Sequence, residues 1–558
     1  MTVLSYVFAF VLLLGVLIFI HELGHFAVAK LCGVRVLKFS LGFGAPVGIG
    51  RHRLSRTIGH TEYVVGWIPL GGFVKMLGEN PDEADDPSAR AHPSETLGAK
   101  PLWQKLAVVF AGPAMNLLFP VAVFTGTLFV GLLRPDAVIG TVEVASPAAQ
   151  AQLRPGDRIA ALDGASVRWW EDVEEAVRSR PGERLTLSYE RDGEAATLEL
   201  VAGTRSGFDE FGEVQPVGWV GLGHGRPRAM LGIPDAAAAA AVAGLRSGDL
   251  VRAVAGEAVE DWHELAAAYA AADPAAAVEF DVERGPQDSP ERLAVTVAAL
   301  GDLAALGVVP ANVLVSSVSP DSPAARGGLE AGDLILSVDG RPVGSFASFA
   351  ETVRTSGGRA LDLVLARAGE SRRVAIAPEL TETDVGLGIK EPRYLVGITA
   401  EAATLPGSTV MDRERNPLIA IPRAVAMTVE ITHTFLRGLG KLITGEVSRR
   451  QLAGPIGIAE IAGNAFQRGW ETYLSIMVLI SINLGILNLL PIPILDGGQA
   501  LLFIVEGLKG SALSLRTRAF VQQIGLTVLL LLMGMAFWND LSRHWSKIVD
   551  WLRSGTGL

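Results

Sequence analysis

Apolar residues run uncharged from Val3 to Ile20, and the run resumes to Ala29 after one polar interruption, HELGH at 21–25. A helix of that length crosses a hydrocarbon core of about 30 Å. Three more stretches have the same character: Leu106–Leu133, Tyr473–Leu490 leading into PIPILDGGQALLFIV, and Ile524–Phe537 with its flanks. Between roughly 140 and 415 the pattern changes, and charged residues become plentiful. Asn416–Arg449 is apolar but carries Arg423, Glu430, Arg437 and Lys441 at helical spacing, which puts its charges on one face. That predicts an amphipathic helix on the outer membrane surface, with a fifth span as the alternative. Asn80–Pro101 is rich in proline and acid and reads as a linker. The fold class expected is a polytopic α-helical membrane protein, with about four transmembrane helices flanking a water-soluble centre.

Composition supports this division. The chain has 558 residues, 49% of them hydrophobic, and a mean hydropathy of +0.35 with only 19% charged. A cleaved signal peptide does not fit the first run, which has no basic leader and no small-residue cleavage site after it. The net charge of −11 excludes nucleic acid as a partner, since phosphate binding needs clustered Lys and Arg. The single cysteine, Cys32, cannot form an intrachain disulfide. Basic residues orient the spans: Lys30, Arg35, Lys38, Arg51, Arg53, Arg56 and Lys75 lie between the first two, and Lys509, Arg516 and Arg518 between the last two. Both loops are therefore expected in the cytoplasm, and the long central region outside it.

The centre repeats itself. LRPGDRIAALDGASV begins at Leu153, LRSGDLVRAVAGEAV at Leu245 and LEAGDLILSVDGRPV at Leu329, and the three align without a gap. Each has Gly-Asp entering a short strand and a second glycine at a hairpin turn. Trp170, Trp262 and Phe346 follow at matching offsets and lead into helix-like stretches. The pattern resembles a PDZ domain present three times, which implies tandem α+β modules able to take an extended peptide along a sheet edge. The middle copy has an alanine run where the others have SPAA, so its groove is expected to be degenerate.

The polar interruption carries the chemistry. In a helix, His21 and His25 lie four residues apart on one face and can chelate one zinc ion through their imidazoles, with Glu22 beside the metal. Ionisable groups at membrane depth are costly and functional by default. A catalytic zinc needs a third protein ligand and an open position. Between Tyr473 and Val505 the one carboxylate or imidazole facing the bilayer core is Asp496, in NLLPIPILDGGQA. Pro491 and Pro493 remove helix donors, and Gly497-Gly498 permit an irregular path. Broken helices at that depth survive only where protein or a water-filled cavity satisfies the backbone. Asp496 is therefore the expected third ligand.

HELGH at the end of a first span, a PDZ-like centre and a late LDG resemble the site-2 protease family of intramembrane zinc metalloproteases. FSLGFG (Phe39–Gly44), GGFVKMLGE (Gly71–Glu79), AGPAMN (Ala111–Asn116) and INLGILNLLPIPILDGG (Ile482–Gly498) are similar to further signatures of that family. The resemblance implies a membrane-associated β element around Gly71–Glu79. It also implies substrate-binding roles for Asn488, Pro491, Pro493, Gly42, Gly44 and Val74, and Zn2+ as cofactor. It places the protein in a bacterial inner membrane with the active site toward the cytoplasm. Substrates would be single-span membrane proteins, such as an anti-sigma factor already clipped outside, or leftover signal peptides. Zinc would acidify water and polarise the scissile carbonyl, and Glu22 would carry the proton to the leaving amine. Family members with two PDZ domains are best known; three are counted here. A membrane zinc enzyme of another class and a non-enzymatic PDZ scaffold are the competing readings.

The expected organisation is a first span at 1–30, a loop with the β element at 31–102 and a second span at 103–134. PDZ-like modules follow at 135–225, 226–305 and 306–400. An amphipathic segment occupies 401–471, a third span with LDG 472–506, and a loop, fourth span and tail 507–558.

Overall fold

The computed structural model describes residues 3–49, 52–79, 90–209, 213–285, 289–384, 390–445, 453–511 and 513–555. The chain divides into two compact units, Met1–Leu132 with Arg413–Leu558, and Leu133–Thr383 with Glu391–Asp412.

The first unit is helical. Among the described residues four helices are long and apolar enough to cross a membrane: Leu4–Leu31, Leu102–Val130, Trp470–Asn488 and Arg516–Ser542. They belong to α1 (Val3–Leu31), α2 (Leu102–Val130), α8 (Trp470–Asn488) and α10 (Leu515–Gly555), numbered with the helices introduced below. Small residues let α1, α2 and α8 approach closely, as expected where apolar burial alone cannot hold helices together. A Cβ on Gly24 would sit 2.7 Å from Met115 Cγ, and one on Gly485 3.2 Å from Pro113 O.

Between α1 and α2 lies a sheet of β1 (Val36–Pro46), β2 (Ser55–Ile58) and β3 (Thr61–Met76). Strand β3 folds around β1 and pairs with it twice, so that Phe39 faces Tyr63 on one side and Val74 on the other. Strand β2 extends the Thr61–Val64 side. Among the described residues the Ile68–Met76 half has no further strand beyond it and forms a sheet edge. The turn that lets β3 double back depends on glycine. Gly42 has φ +86°, and a Cβ there would meet Ile68 O at 2.8 Å and Gly66 O at 2.9 Å.

The second unit holds the three repeats, and all three have the same topology. A strand (Arg158–Leu162, Leu250–Val254, Leu334–Val338) precedes a helix: α3 (Trp170–Arg178), α4 (Trp262–Ala271) or α5 (Phe346–Thr355). A hairpin completes each four-stranded sheet. The expected boundary at 305 is corrected. Val309–Pro310 pairs with Leu231–Gly232 and closes the middle module, as Leu222–Gly223 and Ile398–Ala400 close the others. The middle copy departs as its sequence implies. Ser146 and Ser322 cap their short helices by accepting from Ala149 N and Ala325 N, whereas Ala238 has no side-chain cap. It also has the helix Leu303–Leu306 where the other two insert an extra hairpin.

The Gly-Asp aspartates of the repeats are fully buried, and an arginine at the end of the next long strand holds each one. Arg191 Nε donates to Asp157 (2.6 Å), Arg284 Nε to Asp249 (2.7 Å) and Arg367 Nε to Asp333 (2.6 Å). The same carboxylates accept from the backbone N–H of Arg154, Arg246 and Glu330, which fixes the turn. Removing one partner of a buried pair strands the other charge. Arg367→Ala is expected to destabilise the third module by about 3 kcal/mol, read as an earlier denaturant midpoint for that module.

The helix expected over Asn416–Arg449 is α6 (Pro417–Thr444), and a second helix, α7 (Pro455–Arg468), follows it. Helix α6 does not lie apart from the spans. Glu414 N donates to Leu128 O at one end of α2, and Ile431 and Phe435 pack with Leu117, Phe124 and Ile482 further along. It therefore follows α2 for about 16 Å at 1.5 Å per residue. Helix α7 is capped from a distance. Asp540 of α10, fully buried, accepts from the N–H groups of Gly454, Ile456 and Gly457 at 2.9, 2.9 and 3.1 Å. Those donors have no intrahelical acceptor, so an acid in an apolar span satisfies the first turn of its neighbour.

Candidate metal centre

Three polar side chains meet where α1 approaches the break in the third span. His21 and His25 share a face of α1, with rings 4.8 Å apart and nearly perpendicular. The third span ends at Asn488, and the chain crosses Leu489–Leu495 irregularly before α9 (Asp496–Lys509) begins. Pro491 and Pro493 lie in that crossing, as expected from the donors they lack. Asp496 is the first residue of α9. Gly497 and Gly498 behind it leave no room for side chains, because a Cβ on either would overlap backbone atoms of Leu489–Pro493. The two glycines thus let α9 fold tightly against the crossing and aim Asp496 at α1.

The resulting triangle has a metal's dimensions. His21 Nε2 lies 3.2 Å from His25 Nε2 and 3.2 Å from Asp496 Oδ2, and His25 Nε2 lies 3.6 Å from Asp496 Oδ2. Tetrahedral zinc with bonds of 2.0–2.1 Å has ligand–ligand edges of about 3.4 Å. Asp496 Oδ2 is buried with no hydrogen-bond partner, as a ligand atom facing a cation would be. His25 Nδ1 donates to Val108 O at 2.8 Å, which leaves Nε2 free to coordinate. The donor set fits zinc, and three protein ligands leave a fourth position open.

The sheet edge comes to the same place. A Cβ on Gly72 of β3 would lie 3.0 Å from Glu22 Cγ and 2.8 Å from Ile18 Cγ2, so the edge strand passes directly beside Glu22. Val74 is buried on this strand, opposite Phe39. Gly42 and Gly44 both take left-handed conformations in β1 (φ +86° and +88°), and the path of the chain by itself accounts for the glycine at 42. Asn488 is half-buried at the end of α8, and no hydrogen bond of its side chain is among those described. Pro493 lies against α10, where a Cβ on Gly525 would be 3.1 Å from it.

Sequence reasoning missed the contribution of α2. Gly112 lies against both imidazoles: a Cβ there would overlap His25 Nε2 and stand 2.8 Å from His21 Cε1. Asn116 reaches His21 Nδ1, and Val108 O takes His25. These three residues are four apart and form one stripe of α2. The four-residue spacing of Gly112 and Asn116 was readable in LAVVFAGPAMN as a small and polar pair on an apolar helix, whereas Val108 acts through its backbone and carried no such signal.

The profile of peptidase family M50 matches residues 9–532. The chain is 33% identical to the regulator of sigma-E protease RseP of Escherichia coli over 536 residues, 96% of this chain and 98% of that one. It is 31% identical to protease RseP of Yersinia pestis over 97% of this chain and all of that one. A Pasteurella multocida protein named as a candidate zinc metalloprotease is 30% identical over 96% of this chain and 98% of its own length. Among solved structures, the PDZ domain of an SdrC-like protein of Listeria monocytogenes matches 16% of this chain and 88% of its own, with 17% identity and a TM-score of 0.13. The chain belongs to peptidase family M50, and it is a zinc metalloprotease.

Proposed function

We propose that His21, His25 and Asp496 hold the zinc, that Glu22 moves the proton, and that the bond cut lies in the membrane-spanning segment of a single-span protein. The observation that carries this reading is the convergence of three ligand atoms at 3.2–3.6 Å from the ends of two apolar spans. Zinc held there supplies Lewis acidity that acidifies water and polarises the scissile carbonyl. Glu22, next to His21 on the same helix, accepts the water's proton and delivers it to the departing amine. The irregular crossing at Leu489–Leu495 supplies the polar surroundings that water needs at this depth.

A substrate helix satisfies its own backbone and hides its amides, so it must unwind before it is cut. The Ile68–Met76 edge of β3 offers unpaired backbone groups beside Glu22 and captures the unwound stretch as an added strand. Asn488, Pro491 and Pro493 flank the same crossing and line the path of that strand. Exposed Phe43, Leu54, Trp67 and Ile68 gather at the sheet's apolar end and seat it in the bilayer interface. The basic loops favour a cytoplasmic position for this end of the spans in a bacterial inner membrane, with the three PDZ-like modules outside, where they restrict which substrates approach. Relatives named as regulators of sigma-E make a protein of sigma-E control the first substrate to try, a membrane-bound anti-sigma factor in this proposal; remnant signal peptides have the same single-helix chemistry.

In reconstituted full-length protein, a single-span reporter is expected to be cut within its apolar segment, and chelation of zinc abolishes the cut. Val74→Pro is expected to lower cleavage by at least ~10-fold while zinc stays bound, since proline disrupts the edge strand. Wild-type cleavage by that variant would remove strand capture from the mechanism. Cleavage restricted to soluble peptides would remove the membrane-spanning substrate.

A further inference from the structure

Asn116 lies in the middle of α2 and is 1% exposed. Its amide nitrogen stands 3.3 Å from His21 Nδ1, and its Oδ1 is buried without a partner. The neighbouring backbone is held as well: Ser481 of α8, fully buried, donates to Asn116 O at 2.8 Å. One residue thus links the helix that carries the two histidines to the span that leads to Asp496.

The tautomer of His21 decides what Asn116 must do. A neutral imidazole that coordinates through Nε2 carries its proton on Nδ1, and that N–H needs an acceptor. His25 has one in Val108 O. His21 Nδ1 has Asn116 alone among the described hydrogen bonds. The two ends of a carboxamide exchange by a half-turn of the side chain and are assigned from their hydrogen bonds. With Oδ1 turned toward His21, the Nδ1–H is satisfied and Nε2 presents its lone pair to the triangle. With the nitrogen turned toward it, Nδ1 would have to accept, and Nε2 would carry the proton and could not bind metal.

We propose that Asn116 is a positioning residue for the zinc site, accepting the Nδ1–H of His21 through Oδ1 and so fixing the tautomer and ring orientation in which His21 coordinates. The proposal rests on the zinc-ligand reading above. Ser481 keeps Asn116 at the right height by bonding its backbone. Small residues at 24, 112 and 485 permit this arrangement, because α1, α2 and α8 approach closely enough for one short amide to reach across.

The test uses purified full-length protein in detergent and zinc titrated against a chromogenic chelator. Asn116→Leu, similar in volume and without an acceptor, is expected to bind zinc roughly 10- to 100-fold more weakly, the usual cost of losing the partner behind a ligating histidine. Asn116→Asp keeps an acceptor oxygen and is expected to bind at least as tightly as wild type. Bound Co2+ reports coordination directly: its visible absorption should change in Asn116→Leu and not in Asn116→Asp. Metal-free melting separates this role from packing, because a positioning residue leaves the apoprotein's transition in place. If Asn116→Leu does not fold, Ser481→Ala carries the test and must weaken zinc in the same direction. Equal zinc affinity in wild type and Asn116→Leu, or in wild type and Ser481→Ala where only the latter folds, overturns the proposal. A wild type that binds no zinc overturns the ligand reading instead.

Discussion

Gly112→Ala is expected to empty the zinc site without unfolding the protein. The added methyl would overlap His25 Nε2 and stand 2.7 Å from His25 Cε1 and 2.8 Å from His21 Cε1, so it occupies the face through which both rings coordinate. Neither ring can retreat within its rotamer, because His25 is tied to Val108 O and His21 to Asn116. A longer α1–α2 separation would relieve the clash, but Gly24 packs against Ala111 and Met115 one turn away and resists it. Loss of affinity should exceed the ~100-fold ceiling for losing a hydrogen-bond partner behind a ligand, since here the ligand atoms themselves are displaced. Gly126→Ala in the same helix is the control. No atom lies within 4 Å of a Cβ there, and alanine is the better helix former by about 1 kcal/mol, so zinc and fold should both be retained. Elemental analysis of the two variants decides the matter. Full zinc occupancy in Gly112→Ala would mean that the histidines do not coordinate from this face.

The sequence made the three proposed ligands legible by two different signals. His21 and His25 declare themselves by four-residue spacing inside an apolar run, and Asp496 by being the lone acid in a proline-broken span. The repeats were equally plain, since Gly-Asp recurs in register. Their staples were not, although Arg191, Arg284 and Arg367 follow their aspartates by 34, 35 and 34 residues. An arginine at a strand end reads as solvated until the fold shows it turned onto a buried carboxylate. The α2 contributions stayed hidden for a related reason. Glycine in an apolar helix signals close approach without naming the partner. At Gly112 the partner is the metal site, and at Gly24 it is α2 itself.

Charge spacing found the helix α6 but not the neighbours it packs against. The regular charges of α6 predicted a helix lying on the membrane surface, and hydropathy alone could not weigh the face that Ala420, Ala424 and Thr428 bury. Small residues on that face let α6 lie along α2, and its larger apolar residues then meet α8. Asp540 carried the opposite ambiguity. An acid in a span invites a catalytic reading, yet three backbone N–H groups of α7 account for both of its oxygens. What separates it from Asp496 is satisfaction: one carboxylate is saturated by donors, and the other has a buried oxygen with none.

Glu22→Gln is expected to keep zinc and lose cleavage. Glutamine has the shape of glutamate, so the close approach of its Cγ to Gly72 survives, and neither histidine moves. What disappears is the basic oxygen. An amide cannot accept the proton that water must shed as it attacks, nor return it to the amine that leaves. General acid–base contributions of this kind run to 10²–10⁴-fold, and an amine leaving group that must be protonated to depart puts the loss at the upper end, at least ~10³-fold on single-turnover cleavage of the single-span reporter. Glu22→Asp is the graded companion. It retains a base but withdraws the carboxylate by one methylene from the strand edge at Gly72, and its activity should fall between the two. Because zinc content is read on the same samples, the experiment separates chemistry from assembly. A Glu22→Gln protein that is zinc-loaded and still cuts at the wild-type rate would show that another group moves the proton, and the assignment of Glu22 would then be wrong even though the three ligands stood.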